Sequence, residues 1–216
     1  LVDSNIKASF TLTYVLLITT GTITIIEALR TKNPIVRHIF NLETVISIIA
    51  GYFYSIFVSI IEKNKNINWN EINKLRYLDW SITTPVMLLV FCIALADHSE
   101  VKLNFLIYIG IVLLNFTMLL IGYLGDTNKM DKNLAMTTSF IAFFIMFTIS
   151  YINFVKPKYS LFNYILFSFF FLIWSIYGLI YKMREDYRVI IYNILDLFAK
   201  CFVGIGLWLY FTELFV

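Results

Sequence analysis

Seven long apolar runs, each closed by a short polar break, constrain this chain more than any other feature. They cover residues 8–29, 39–61, 75–96, 103–124, 133–155, 160–182 and 189–213. About 20 apolar residues carry a helix across a bilayer, and a backbone in hydrocarbon has to satisfy its own hydrogen bonds. Each run therefore reads as a membrane-spanning helix. The breaks are RTKNPIVRH, EKNKNINWNEINK, DHSEVK, GDTNKMDKN, KPKYS and KMREDYR, and Pro34 and Pro157 sit in two of them as helix breakers. Only 14% of the residues are charged, against about 25% in soluble domains, so the chain cannot cover a water-facing surface. The expected fold is all-α, a seven-transmembrane-helix bundle forming a single domain over 1–216, with the lipid bilayer as its surroundings. LVDSNIKAS lacks the basic region and cleavage site of a signal peptide, so the first run reads as a retained span.

The remaining composition narrows the function. A net charge of +3, thinly spread, gives no footprint for nucleic acid. The 21 Phe and 14 Tyr suit lipid-facing and interfacial positions. Cys92 and Cys201 both lie in apolar runs and read as buried thiols rather than a disulfide. No Gly-rich phosphate loop, CxxC pair, HExxH or serine-nucleophile elbow is present, so no enzyme is expected. His38 and His98 sit at loop edges without ligand spacing, read as solvated residues, and imply no metal site.

Few ionisable residues lie well inside the runs, and each is expensive there. The third run holds Arg76 and Asp79, the seventh Asp196 and Lys200, and the second Glu43 about a turn from its start. Glu27 and Glu213 are near run ends, where a side chain can snorkel to the headgroups. Asp196 and Lys200, four residues apart, share a helix face. Two acids, one arginine and one lysine could be a neutral knot that staples two helices. A lysine with two carboxylates is also what a covalently held cationic cofactor requires, since lysine forms Schiff bases with carbonyl compounds and a buried cation needs an anion beside it.

RYLDWSITTP (76–85) and LDLFAK (195–200) resemble the microbial (type 1) rhodopsins, a likeness that runs through all seven helices. The resemblance implies all-trans retinal held in the core as a Schiff base on Lys200. It also assigns Asp79 as primary counterion and proton acceptor, Asp196 as the second counterion and Arg76 as the gating arginine. Thr83 takes the second place of the family's three-residue motif. Trp80, Thr84 and Met87 match pocket positions in the third helix. In WSIYGLIY, Trp174 and Tyr177 match the pocket, Gly178 stands where the family usually has Pro, and Tyr181 replaces a tryptophan. Asn115, Met118 and Gly122 match a polar position and the ring-binding site of the fourth helix, and the fifth helix has no matching tryptophan.

The family places the N-terminus outside. The Lys and Arg count argues the other way, with nine on the N-terminal side and six opposite. The usual proton-donor carboxylate is replaced by Val90. Glu43, Ser47, Ala50 and Tyr54 fall at i, i+4, i+7 and i+11, a small and polar helix face. That face would bring Glu43 to the cytoplasmic gate and Tyr54 to the level of Asp196. Tyr52 is the rival tyrosine and would turn Glu43 away, and Glu43 could equally be an interfacial residue paired with Arg37 or His38. Arg188 stands where pumps often carry a release-group glutamate, and Glu185 and Asp186 nearby read as exposed, so fast proton release is not expected.

Short loops and the unusual donor resemble the small rhodopsins of large algal viruses. The expected function is a light-driven outward proton pump; the alternative is a light-gated ion channel or a photosensory receptor signalling through a partner. The expected partners are protons or other small ions and further copies of the chain, as a trimer or pentamer.

Overall fold

The computed structural model describes residues 4–63 and 67–212. All seven expected helices are present: α1 (Ser4–Arg30), α2 (Pro34–Lys63), α3 (Trp69–His98), α4 (Phe105–Asp126), α5 (Lys132–Ser150), α6 (Leu161–Leu179), and a seventh span of α7 (Glu185–Asp196) and α8 (Val203–Phe211). Seven helical stretches are long and apolar enough to cross a membrane, and no strand occurs among the described residues. The protein is thus all-α and a multi-pass integral membrane protein.

α1, α2, α3 and α7 begin four to six residues before the apolar runs that announced them. Hydropathy marks depth in the membrane, whereas helix ends are set by caps and turns. Asn33 accepts from the backbone N–H groups of Ile35 (2.9 Å) and Val36, so Pro34 opens α2 rather than standing outside it. Proline fits there because its missing N–H would have no helical partner. Asn104 and Asp131 cap α4 and α5 in the same way. Pro85 lies inside α3, and its carbonyl accepts from the Tyr108 hydroxyl at 3.0 Å.

Two stretches widen to π-helix, Tyr151–Val155 at the end of α5 and Leu197–Phe202 between α7 and α8. A π turn carries an extra residue and shifts the register of the helix beyond it. Nothing in the hydropathy signals it. Lys200 sits in the second of these stretches.

The chain divides into two compact units. The first comprises residues 1–79 and 183–216, the second 80–182. The first packs around Phe10, Leu17, Ala50, Tyr54, Phe57, Val189 and Cys201. A smaller cluster joins Ala28, Val36 and Phe40 to Trp208 and Phe211. The second is built on aromatic rings: Phe91 meets Phe170 at 4.8 Å, Phe143 meets Phe147 at 4.7 Å, and Phe147 meets Trp174 edge-on at 6.1 Å. Such pairs add to the area they bury. Cys92 and Cys201 are free and buried.

Candidate functional site

The first unit gathers the charges that the sequence scattered. Lys200 Nζ donates to Asp79 Oδ2 at 2.8 Å and lies 3.6 Å from Asp196 Oδ2, with all three side chains at 1% exposure or less. Arg76 Nη1 is 3.6 Å from Asp196 Oδ2. Two cations and two carboxylates balance, which is what allows such groups to be buried together. Asp79 reaches the lysine because it lies one turn past Arg76 on α3. Asp196 reaches it from the last residue of α7, just before the π stretch.

Of the two tyrosines left open by the sequence, the structure turns Tyr54 inward. Tyr52 is 63% exposed, whereas Tyr54 is fully buried and its hydroxyl donates to Asp196 Oδ2 at 2.7 Å. The same face buries Ser47 and Glu43. Glu43 is 2% exposed and its Oε2 has no hydrogen-bond partner among the described residues. A Cβ on Gly204 would lie 3.1 Å from that oxygen and 2.9 Å from Thr20 Cγ2, so the glycine leaves room for the carboxyl. Arg37, offered as an interfacial partner for Glu43, donates instead to the carbonyl of Thr31 at 2.7 Å. Beside Glu43 in sequence, the Thr44 hydroxyl meets that of Thr24 at 2.8 Å.

The second unit carries the expected aromatic and polar positions. Trp80 and Tyr177 meet edge-on at 5.4 Å. Trp174, Met87 and Thr84 are buried, as is Thr83. The Thr84 hydroxyl donates to the carbonyl of Trp80 at 2.6 Å and accepts from Asn115 Nδ2 at 2.8 Å. Tyr181 donates to the carbonyl of Gly122 at 2.7 Å, and the carbonyl of Met118 accepts from Ser139 at 3.1 Å. Val90 is buried and cannot exchange a proton.

Several expectations change in detail. His98 is half-buried: its ring stacks on Phe162 at 4.0 Å and its Nδ1 lies 2.9 Å from the carbonyl of Ala94. Glu27 does not snorkel freely, because its side chain is 12% exposed and accepts from the Trp208 indole at 3.4 Å. Glu213 lies outside the described residues. Glu185 is anchored, accepting from buried Arg188 at 3.3 Å and from Asn73 at 3.4 Å.

Sequence reasoning passed over three features. Asn193 is fully buried and accepts from Arg76 Nη2 at 2.8 Å; a lone Asn one turn before Asp196 in an apolar helix was the available signal. Where the fifth helix lacks tryptophan, phenylalanines stand: a Cβ on Gly178 would fall 2.6 Å from the Phe140 ring, so this glycine is matched to that ring. Asn163 ties α6 to α3 by donating to the carbonyl of Leu95 (2.9 Å) and to Ser99 Oγ (2.7 Å).

The arrangement fits a retinal Schiff base. A primary amine is dry, faces two carboxylates, and has an arginine to balance the second of them. Lys200 would supply the linkage nitrogen, and Asp79 and Asp196 the negative charge a protonated linkage would need.

The sequence matches the family described as bacteriorhodopsin-like protein over residues 5–214. No curated protein matches it. The chain is similar to the solved viral rhodopsin OLPVRII, at 43% identity over 98% of this chain and 99% of that one, with a TM-score of 0.91. Its fold is also that of the light-driven proton pump rhodopsin CsR of Coccomyxa subellipsoidea, at 17% identity, covering 97% of this chain and 98% of that one, with a TM-score of 0.80. The proton-pumping rhodopsin AR2 of Acetabularia acetabulum is alike at 17% identity and TM-score 0.80, covering 98% and 96%. The family binds retinal through a Schiff-base lysine, Lys200 is a buried lysine, and the chain belongs to the bacteriorhodopsin-like family of microbial rhodopsins.

Proposed function

We propose that this protein is a light-driven outward proton pump, one seven-helix domain with its N-terminus outside and all-trans retinal bound to Lys200. The observation that carries the reading is the 2.8 Å contact of Lys200 Nζ with Asp79, inside a charge-balanced and fully buried cluster. Retinal, when bound, supplies light absorption and a change of shape. The chain's own residues do the rest. Asp79 is placed to take the proton carried at the Lys200 nitrogen. Asp196, held by Tyr54 at 2.7 Å and by Arg76, stays an anion and keeps the site neutral overall. Protonation of Asp79 weakens its pull on Arg76, whose later outward swing helps drive the proton out.

Glu43 is the proposed donor from the cytoplasmic side. It is buried, it stands beside Ser47 on the face that also carries Tyr54, and Val90 cannot serve. Between the Glu43 level and the charged cluster, Leu17, Ala50 and Cys201 are buried. Such a barrier suits a pump, which must never connect both sides at once. Trp80, Thr84, Met87, Met118, Gly122, Trp174, Tyr177 and Tyr181 are proposed to line the cofactor, with Thr83 one turn from Asp79 on α3.

The test is light-driven pH change in vesicles or intact cells, alongside voltage-clamped photocurrents. A pump acidifies the medium of illuminated cells, the change collapses with a protonophore, and the photocurrent keeps its sign at all voltages. A current that reverses with the applied voltage would mean a light-gated channel. A photocycle with neither signal would mean a sensor.

A further inference from the structure

Arg76 is fastened by more than its counterions. Its Nη2 donates to Asn193 Oδ1 at 2.8 Å and its Nη1 to the Tyr54 hydroxyl at 3.3 Å. The Asn193 amide cannot turn over. Its Nδ2 donates to Ser9 Oγ at 2.9 Å, and that hydroxyl spends its single proton on the carbonyl of Ile6 at 2.8 Å, so it can only accept. The acceptor end of the amide therefore faces Arg76. The Thr13 hydroxyl donates to the carbonyl of Ser9 at 2.9 Å and also lies 3.3 Å from the Asn193 carbonyl. Around the guanidinium, the rings of Phe10, Tyr54, Phe57 and Tyr192 lie 5.3–5.9 Å away. Cations are held by such faces.

We propose that Asn193 is a latch that holds Arg76 inward in the dark and delays release of the proton to the outer side. The inference rests on the proposed role of Arg76 as the group that moves. The physical reason is the latch's neutrality. Once Asp79 takes a proton, its attraction for Arg76 falls away. The Asn193 bond does not, because an amide carries no charge to lose. Arg188 acts in the same direction. It is buried nearer the start of α7, with its guanidinium 5.9 Å from the Tyr192 ring that Arg76 also approaches, and it repels a second guanidinium. Glu185 offsets part of that charge at 3.3 Å. Asn193 is thus a positioning residue for Arg76.

The experiment uses the full chain with retinal added, reconstituted in nanodiscs, as wild type, Asn193→Leu and Ser9→Ala. Two measurements are made. The first is the lag between loss of the proton from the Lys200 nitrogen and its arrival at a pH-sensitive dye. Removing a hydrogen bond to a charged group should shorten the lag about tenfold in Asn193→Leu, and about threefold in Ser9→Ala, where the amide is merely freed to turn. The second needs no light: nitrogen NMR of the Arg76 guanidinium, with and without retinal. Two distinct Nη signals are expected in the wild type, moving together in Asn193→Leu. An unchanged lag with unchanged signals in both variants overturns the latch. Should Asn193→Leu fail to fold, Ser9→Ala carries both measurements. Should the wild type never lose the Lys200 proton in light, the proposed function fails instead, and the NMR comparison still decides on the latch.

Discussion

At the scale of single residues, the protein is organised by the cost of placing charge away from water. Lys200, Asp79, Asp196 and Arg76 are tolerable together and would not be tolerable apart. Their pairing sets up the first prediction. Lys200→Ala, given retinal, is expected to remain colourless, and visible absorbance measured after retinal addition checks it. Glu43 poses a different problem, since its Oε2 is buried without a partner among the described residues. In the proposed function it is the proton donor. Glu43→Gln should slow return of the proton to the Lys200 nitrogen at least tenfold, make that return strongly pH-dependent, and respond to added azide. Flash spectroscopy over pH 6–9 is the measurement; a return as fast as wild type would make Glu43 a structural residue.

At the scale of helices, glycines and asparagines decide how closely neighbours approach. Gly125 on α4 sits against α5 and the end of α6: a Cβ there would lie 2.5 Å from that of Ala135 and against the Tyr181 hydroxyl. Gly110, fifteen residues earlier on the same helix, has nothing within 4 Å of an added Cβ. Alanine favours a helix over glycine by about 1 kcal/mol. Gly110→Ala should therefore be neutral or stabilising. Gly125→Ala should destabilise by about 1–3 kcal/mol, because the Tyr181 bond to the Gly122 carbonyl has to shift. Thermal unfolding of the two variants in one detergent tests the contrast, and equal behaviour would contradict the packing described. The two π stretches belong to this scale as well. The one at Leu197–Phe202 offsets α8 from α7, and it leaves the Lys200 amine bonded to Asp79 while Asp196 stands 3.6 Å away.

At the scale of the whole molecule, two matters remain proposals with direct tests. The first is sidedness. The N-terminus is placed outside against a loop count of nine Lys and Arg to six; the direction of light-driven pH change in intact cells tests it. The second is assembly. Ile48 at 57% exposure, Tyr52 at 63% and Leu12 at 53% leave α1 and α2 with broad apolar outer faces. A homo-oligomer is expected, a trimer or a pentamer. Native mass in mild detergent checks it, and a monomer alone would end the expectation.

The sequence by itself determined the number of helices, their membrane setting and the family, because hydrocarbon imposes length and apolarity on each span and because RYLDWSITTP and LDLFAK are local strings. It also picked out the buried charges, since an ionisable residue in an apolar run is conspicuous without coordinates. It could not choose between Tyr52 and Tyr54, two residues on one helix whose difference is the azimuth at which α2 meets its neighbours. Nor could it find the bond of Asn193 to Arg76, the Thr24–Thr44 pair or the seat that Gly204 leaves for Glu43. Each of these is a contact between residues far apart in the chain, and only packing brings such residues within hydrogen-bond reach. The π register at Lys200 was hidden as well: a backbone that gains one residue in a turn leaves its hydropathy unchanged, so the wider turn shows only in the folded chain.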